Sequence, residues 1–380
     1  NAPDWLTYLK VRGSYTEVGN SYGRFMTTVT YPYDEQTQNW TSTSSYPNTK
    51  LKPERTKSWE VGLDARILND ISLNLTYYRS NTYNQTFYAD LSLSSGYSNI
   101  PIQSGNIMNE GIEMALGYNK QWKDFSFNTN YTLTWNKNRV KRLADGVYNY
   151  ATGQSIQMPE LSPLTYGHTD ARLILRVGGS MGDVYGQRLL KRDLNGYILN
   201  EEGVGLTMEN KETYLGSILP KMNMGWSLGF GYKGVNLGMT FTGRFGGIVI
   251  SETQSVLDAA GVSKVSADVR DAGGVQINQG KVSAQTYYQA IQGTAAYYTY
   301  SATNVRLGEL SLSYTLPKKW FDNKVGMTVG LVGKNLWMIY CKAPFDPELT
   351  TSAASNFYQG FDAYMLPSTR NFGFNIKFQF

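Results

Sequence analysis

The chain has 380 residues, 41% of them hydrophobic, 14% aromatic and only 17% charged, with 29 Tyr, 38 Gly, one Cys and one His. One Cys excludes a disulfide framework, one His excludes most zinc and Ser-His-Asp chemistry, and a net charge of +5 with no dense Lys/Arg run excludes a nucleic-acid stripe. No apolar run approaches the roughly 18 residues of a membrane-spanning helix, the aromatic content argues against disorder, and as a soluble protein the length would suggest two or three domains.

Period-two alternation recurs along the chain. Successive side chains of a strand point to opposite faces, so each alternating segment predicts a strand with one apolar and one polar face. Leu9, Val11 and Tyr15 oppose Lys10, Arg12 and Ser14. Trp59, Val61, Leu63, Ala65 and Ile67 oppose Glu60, Gly62, Asp64 and Arg66. After an Asn69-Asp70 turn, Ile71, Leu73, Leu75 and Tyr77 oppose Ser72, Asn74, Thr76 and Tyr78. Ile112, Met114, Leu116 and Tyr118 form the next face, then Phe125, Phe127, Tyr131, Leu133 and Trp135. Met222, Met224, Trp226, Leu228, Phe230 and Tyr232 lead through Lys233-Gly234 into Val235, Leu237, Met239 and Phe241. Leu310, Leu312, Tyr314 and Leu316 follow, then Val325, Met327, Val329 and Leu331. The last segment sets Phe372, Phe374, Ile376, Phe378 and Phe380 against Gly373, Asn375, Lys377 and Gln379. The pattern predicts about ten strands.

The polar faces are rich in Ser, Thr, Asn and Gly. Connections alternate between short ones, near 69–70, 119–123, 233–234 and 317–323, and long ones, over 20–53, 89–103, 142–221, 251–303 and 341–368. A soluble β-sandwich would share the alternation but rarely carries structureless loops above about 15 residues. Short turns at one end and long loops at the other describe an all-β, transmembrane antiparallel β-barrel, in which every backbone group is paired without water. A low mean hydropathy of −0.38 fits, since lipid-facing and lumen-facing residues alternate. Phe380, closing an amphipathic strand, resembles the assembly signal of bacterial outer-membrane barrels. That places the short turns in the periplasm and the long loops outside, with Trp5, Trp122, Trp320 and Phe321 in the periplasmic aromatic girdle.

Leu51-Lys52-Pro53-Glu54-Arg55-Thr56-Lys57-Ser58-Trp59-Glu60-Val61-Gly62 resembles a signature of TonB-dependent outer-membrane receptors. Asn106 to Glu113, Asn304 to Tyr314, Gly333-Lys334-Asn335-Leu336-Trp337 and Leu366-Pro367-Ser368-Thr369-Arg370 resemble the SusC/RagA branch, in that family's order. The resemblance implies a 22-stranded barrel with a signal peptide, TonB box and plug. None of those three is readable here, so residues 1–380 are expected to be the C-terminal part of the barrel domain; a free-standing ten-stranded barrel is the alternative.

The resemblance also implies a function. A SusC-like transporter would import oligosaccharides beneath a SusD-like surface lipoprotein lid, pulled by TonB-ExbB-ExbD through the plug. The whole would sit in outer-membrane lipid, and the resemblance suggests a dimer of transporter–lid units. Oligopeptide import by a RagA-like transporter and a passive porin-like barrel are the rival readings. No enzyme, cofactor or nucleic-acid role is expected.

Candidate site residues follow. Trp40, Tyr46, Tyr287, Tyr288, Tyr297, Tyr298 and Tyr300 lie in the long loops, where aromatic faces could stack on sugar rings or bind peptide. Glu60, Asp64 and Arg66 share the lumen face and could pair with one another or with a plug. Residues 191–202 resemble a calcium loop at Asp193, Asn195, Gly196 and Glu202, but Lys191 stands where a carboxylate is required. A hairpin turning at Leu194-Asn195-Gly196 is the alternative. No metal site is expected. His168 has no ligand cluster in its sequence neighbourhood, and Cys341 is expected to be inert. Gly178-Gly179 and Gly273-Gly274 read as loop punctuation. On the apolar face, Phe230→Arg is expected to impair assembly, whereas Asn223→Arg, on the polar face, is expected to be tolerated.

Overall fold

The computed structural model describes residues 3–41, 43–143, 147–149, 153–156, 160–202, 205–349, 351 and 356–379. Its main sheet has ten strands, each antiparallel to the one before it in the chain and lying beside it. They are β1 (Leu6–Asn20), β2 (Glu54–Ile67), β3 (Ile71–Asp90), β4 (Asn99–Trp122), β5 (Phe125–Arg142), β6 (Met222–Tyr232), β7 (Val235–Phe245), β8 (Asn304–Leu316), β9 (Gly326–Cys341) and β10 (Asn371–Gln379). Each predicted strand is present, and Phe380 lies outside the described residues.

The register turns the alternation into continuous bands. On the apolar face one row runs Leu9, Ala65, Leu73, Leu116, Tyr131, Trp226, Phe241, Leu307 and Trp337 across β1 to β9. On the polar face Arg66, Ser72, Gly117, Asn130, Ser227, Thr240, Glu309 and Lys334 form another. A one-residue slip in any strand would exchange its faces, so the two bands fix the register together. The apolar face stays open: Val11 is 70% and Phe374 78% exposed. An exposed apolar band of this extent is suited to hydrocarbon, not water.

Short turns join the strands at one end. Lys233 (φ 45°) and Gly234 (φ 89°) make a two-residue hairpin of the mirror-image turn type that matches strand twist. A Cβ on Gly234 would sit 2.7 Å from the carbonyl oxygen of Thr315. Trp5, Trp122 and Trp320 are exposed at this end, and Phe321, next to Trp320 in the chain, is half-buried.

The long connections differ from expectation. β3 and β4 run past the sheet as an extended hairpin, leaving only residues 91–98 between them. The segment between β5 and β6 builds a second sheet from Glu160–Thr165, Arg172–Arg176, Asp183–Leu190 and Met208–Ser217. Between β7 and β8 lie α1 (Glu252–Ala259), α2 (Lys264–Asp271) and α3 (Ala284–Ile291), capped by the side chains of Ser251, Ser263 and Ser283. The buried core sits at this end. Ile100, Ile102, Val140, Tyr166, Leu173, Leu175, Val184 and Ile250 pack in one cluster. The sheet contributes a wall, and the loops supply the compact hydrophobic body.

Candidate functional site

Two surfaces could meet a ligand: the polar face of the sheet and the loop body above it. On the wall, the Arg12 guanidinium lies 3.5 Å from Asp64 and donates to Thr76 Oγ1 at 2.5 Å and Asn74 Oδ1 at 3.5 Å. Asn74 also donates to Asp64. Asp64 therefore pairs across strands with Arg12, not along β2 with Arg66. Arg66 is exposed and Glu60 half-buried on the same face, and neither makes an ion pair among the described residues. Higher up, Tyr78 donates to Asn136 at 3.0 Å.

Buried polar contacts tie the long loops together. Asp170 accepts backbone N–H groups from Gln187 (3.0 Å), Arg188 (2.7 Å) and Ala295 (2.6 Å), which joins the second sheet to the segment after α3. Ser251, capping α1, donates to Asp362 at 2.6 Å. Tyr166, wholly buried, donates to the carbonyl of Phe357 at 2.7 Å. Arg306, near the outer end of β8, grips Asp346 at 2.7 and 3.0 Å and Glu348 at 3.3 Å. A buried polar group left unpaired costs about 1–3 kcal/mol, so these contacts hold the loops to one arrangement.

The loop aromatics divide. Trp40 is 71% exposed and stands 5.1 Å from Tyr33, itself exposed, on a small hairpin of Tyr33–Asp34 and Asn39–Trp40. Tyr46 packs edge-on against Tyr97 and against the core. Tyr288 and Tyr298 are buried in a second cluster with Leu190, Ile198, Ile277 and Ile291, which leaves no ring face open to a ligand. Tyr287 packs against that cluster, and Tyr297 accepts the N–H of Leu190 at 3.1 Å. Tyr300 meets Phe345 edge-on. Burial pushes the phenols of Tyr287 and Tyr300 up to about 12, so both remain hydroxyl donors at neutral pH. Of the buried pair, Tyr288 had a sequence signal: Ala284, Tyr288 and Ile291 recur at helical spacing. Tyr33, absent from the sequence-level candidates, is part of the exposed pair.

At 191–202, Asp193 Oδ1 accepts the N–H groups of Asn195 and Tyr197, both at 2.9 Å, and Gly196 turns the chain at φ 84°. This is the hairpin. His168 lies in a turn where its backbone N–H donates to Glu252 at 3.4 Å. The Cys341 thiol is partly buried and donates to the carbonyl of Ala343 at 3.4 Å.

The family model described as TonB dependent receptor-like, beta-barrel matches residues 2–336. "TonB-dependent receptor P3" of Formosa agariphila is 25% identical over 98% of the chain and 40% of its own length. "TonB-dependent receptor SusC" of Bacteroides thetaiotaomicron is 28% identical over 34% of the chain and 12% of its own length. Among solved structures, the "RagAB peptide importer in the 'open-open' state" shares the fold at a TM-score of 0.70 and 20% identity, over 99% of this chain and 40% of that one. The chain spans about 40% of the length of the curated relatives it matches over nearly all its residues.

Proposed function

Because the chain belongs to the TonB-dependent receptor-like β-barrel family and is of SusC/RagA type, we propose that its ten strands are the C-terminal part of the barrel wall of an energy-coupled outer-membrane importer. The observation that carries this is the two-faced sheet, apolar outside and polar inside, with a loop body welded over one end. β1 and β10 are each paired on one side among the described strands. Lipid cannot satisfy such edges, and a barrel of about 22 strands would close them. Glu60 and Arg66, free on the lumen face, would meet a plug, and TonB with ExbB and ExbD would pull on that plug. A SusD-like lipoprotein would close over the loop body, and two transporter–lid units could pair. Uptake would thus be gated and energy-coupled, not passive diffusion.

For the cargo, the exposed Tyr33–Trp40 pair supports an oligosaccharide, since two tilted rings offer apolar faces to a sugar. Trp40→Ala is expected to weaken oligosaccharide binding by about 1 kcal/mol, roughly fivefold in Kd. Calorimetry on the purified transporter checks this. Binding of oligopeptides and of no glycan would overturn the cargo reading and leave the importer reading standing. His168→Ala is expected to leave uptake unchanged at equal expression; a loss of uptake would give the lone imidazole a role this account denies it.

A further inference from the structure

The outward face of β2 to β5 changes character abruptly. Outward-facing residues run apolar or aromatic from Ile67 up to Trp59, from Ile71 to Tyr77 and from Phe125 to Trp135, with Thr129 the exception in β5; β4 climbs from Trp122 through Lys120 and Tyr118 to Ile112. Each stretch is close to the roughly 9–11 residues a tilted strand needs to cross hydrocarbon. Lys120 lies by the short turns and is bonded to Asp70, so it belongs to the periplasmic boundary. Directly above the apolar stretches, still on the outward face, stand Lys57 and Arg55 on β2, Arg79 on β3, and Lys137 and Arg139 on β5.

These cations are neighbours in the sheet. Arg79 lies opposite Trp59 and Glu110, and Glu110 lies opposite Lys137. One step higher, Lys57, Asn81, Met108 and Arg139 form the next row. Strands about 4.8 Å apart put the belt within about 15 Å across. Two acids face it: Glu17 lies 3.2 Å from Arg55 and 3.8 Å from Lys57, and Glu110 lies 3.9 Å from Lys137. Arg79 and Arg139 make no ion pair among the described residues. Beside them the wall opens into a cavity of about 740 Å³ lined by Trp135, Lys137, Arg139, Tyr214 and Lys221. Its one carboxylate, Asp183, already accepts from Tyr214 at 3.2 Å and from the N–H of Ser180 at 2.8 Å. Further round the wall, the outward residues level with Tyr131, Leu133 and Trp135 are apolar or aromatic: Phe241, Leu307 and Trp337, then Val305 and Tyr340, then Phe245.

A cation excess on β2 to β5, directly above their apolar stretches and level with the outer lipid headgroups, calls for an anionic partner held by lipid. We propose that this sector binds a phosphorylated glycolipid of the outer leaflet, its acyl chains along the apolar faces of β2 to β5 and its headgroup phosphate on Arg79, Lys137 and Arg139. Arginine offers phosphate a paired set of donors that a lone ammonium does not. The inference rests on the reading of this chain as an outer-membrane wall.

The test uses the intact transporter extracted from outer membranes, with lipid A as probe and dephosphorylated lipid A and inorganic phosphate as comparators, followed by native mass spectrometry. The wild type is expected to retain lipid A at least fivefold more than the triple variant Arg79→Gln, Lys137→Gln, Arg139→Gln. Retention should fall as salt rises. The double variant Arg79→Lys, Arg139→Lys should retain most of it, and dephosphorylated lipid should not distinguish wild type from the triple variant. Equal retention by wild type and a triple variant that still reaches the outer membrane would overturn this inference alone. Inorganic phosphate displacing lipid A completely would also overturn it, by showing a free-anion site. A wild-type chain absent from the outer membrane would overturn the wall reading and this inference with it.

Discussion

Leu228→Arg is expected to cut the assembled, heat-modifiable barrel in outer membranes severely, whereas Asn130→Arg leaves it near the wild-type level. Leu228 lies midway along β6, opposite Thr129 and Met239 on the outward face. Arg at the hydrocarbon midplane costs roughly 2–4 kcal/mol and progressively less toward the interfaces. That depth dependence changes the site chosen from sequence alone. Phe230 is one outward position from Tyr232 and the Lys233-Gly234 turn, so Phe230→Arg should impair assembly less than Leu228→Arg. The lumen-side control changes for a related reason. Asn223 lies directly opposite Arg244, and like charges facing across a strand pair repel. Asn130, exposed on the inner face between Gly117 and Ser227, has room for a longer cation. Gel shift of unheated samples checks both variants.

Arg306→Ala is expected to release the connection after β9 without dissolving the wall. Arg306 is 9% exposed and bonds Asp346 through two nitrogens, Glu348 at 3.3 Å and Asn304 Oδ1 at 3.3 Å. Removing one partner of a buried ion pair strands the other and costs about 3–5 kcal/mol. Hydrogen exchange at 342–349 should accelerate by two orders of magnitude or more, while exchange in β6 and β7 stays unchanged. Burial raises the Asp346 carboxyl, but the bonds from Arg306 outweigh it and hold the group below its ordinary value. A carboxyl depressed in the folded state stabilises fully above its unfolded value and less as pH falls through the folded one. The same segment should therefore loosen in acid, below the usual carboxylate range, and Arg306→Ala should abolish that pH dependence.

The wall was legible because one physical fact generates it. A strand between lipid and a polar lumen must alternate, and ten segments do. The outer ends of the strands were less legible. β4 begins at Asn99, yet Ile100, Ile102 and Ile107 are buried under loops and not set against lipid. Two-sided covering erases the alternation that marks the rest of the strand, and Pro101 and Gly105 read as loop signals. The second sheet was missed for a similar reason: Arg172–Arg176 is five residues long and buried through Leu173, Ile174 and Leu175 in succession. Tyrosine in a long loop suits either a ligand or a core, and its composition does not say which. Burial separates Trp40, which is open, from Tyr288 and Tyr298, which are structural. Asp64 lies on the polar face with Glu60 and Arg66, and its partner comes from β1, a pairing that requires the register.

The central claim is that these strands wall a lumen off from lipid, and single-cysteine labelling along β6 tests it most directly. In a Cys341→Ser background, each position from Met222 to Tyr232 is replaced by Cys in turn and exposed, in intact outer membranes, to a polar thiol reagent and to a lipid-soluble one. The account predicts strict two-residue alternation. Asn223, Gly225, Ser227 and Gly229 positions should react with the polar reagent, and Met224, Trp226, Leu228 and Phe230 positions only with the lipid-soluble one. Uniform labelling by the polar reagent, or alternation of the opposite phase, would contradict it.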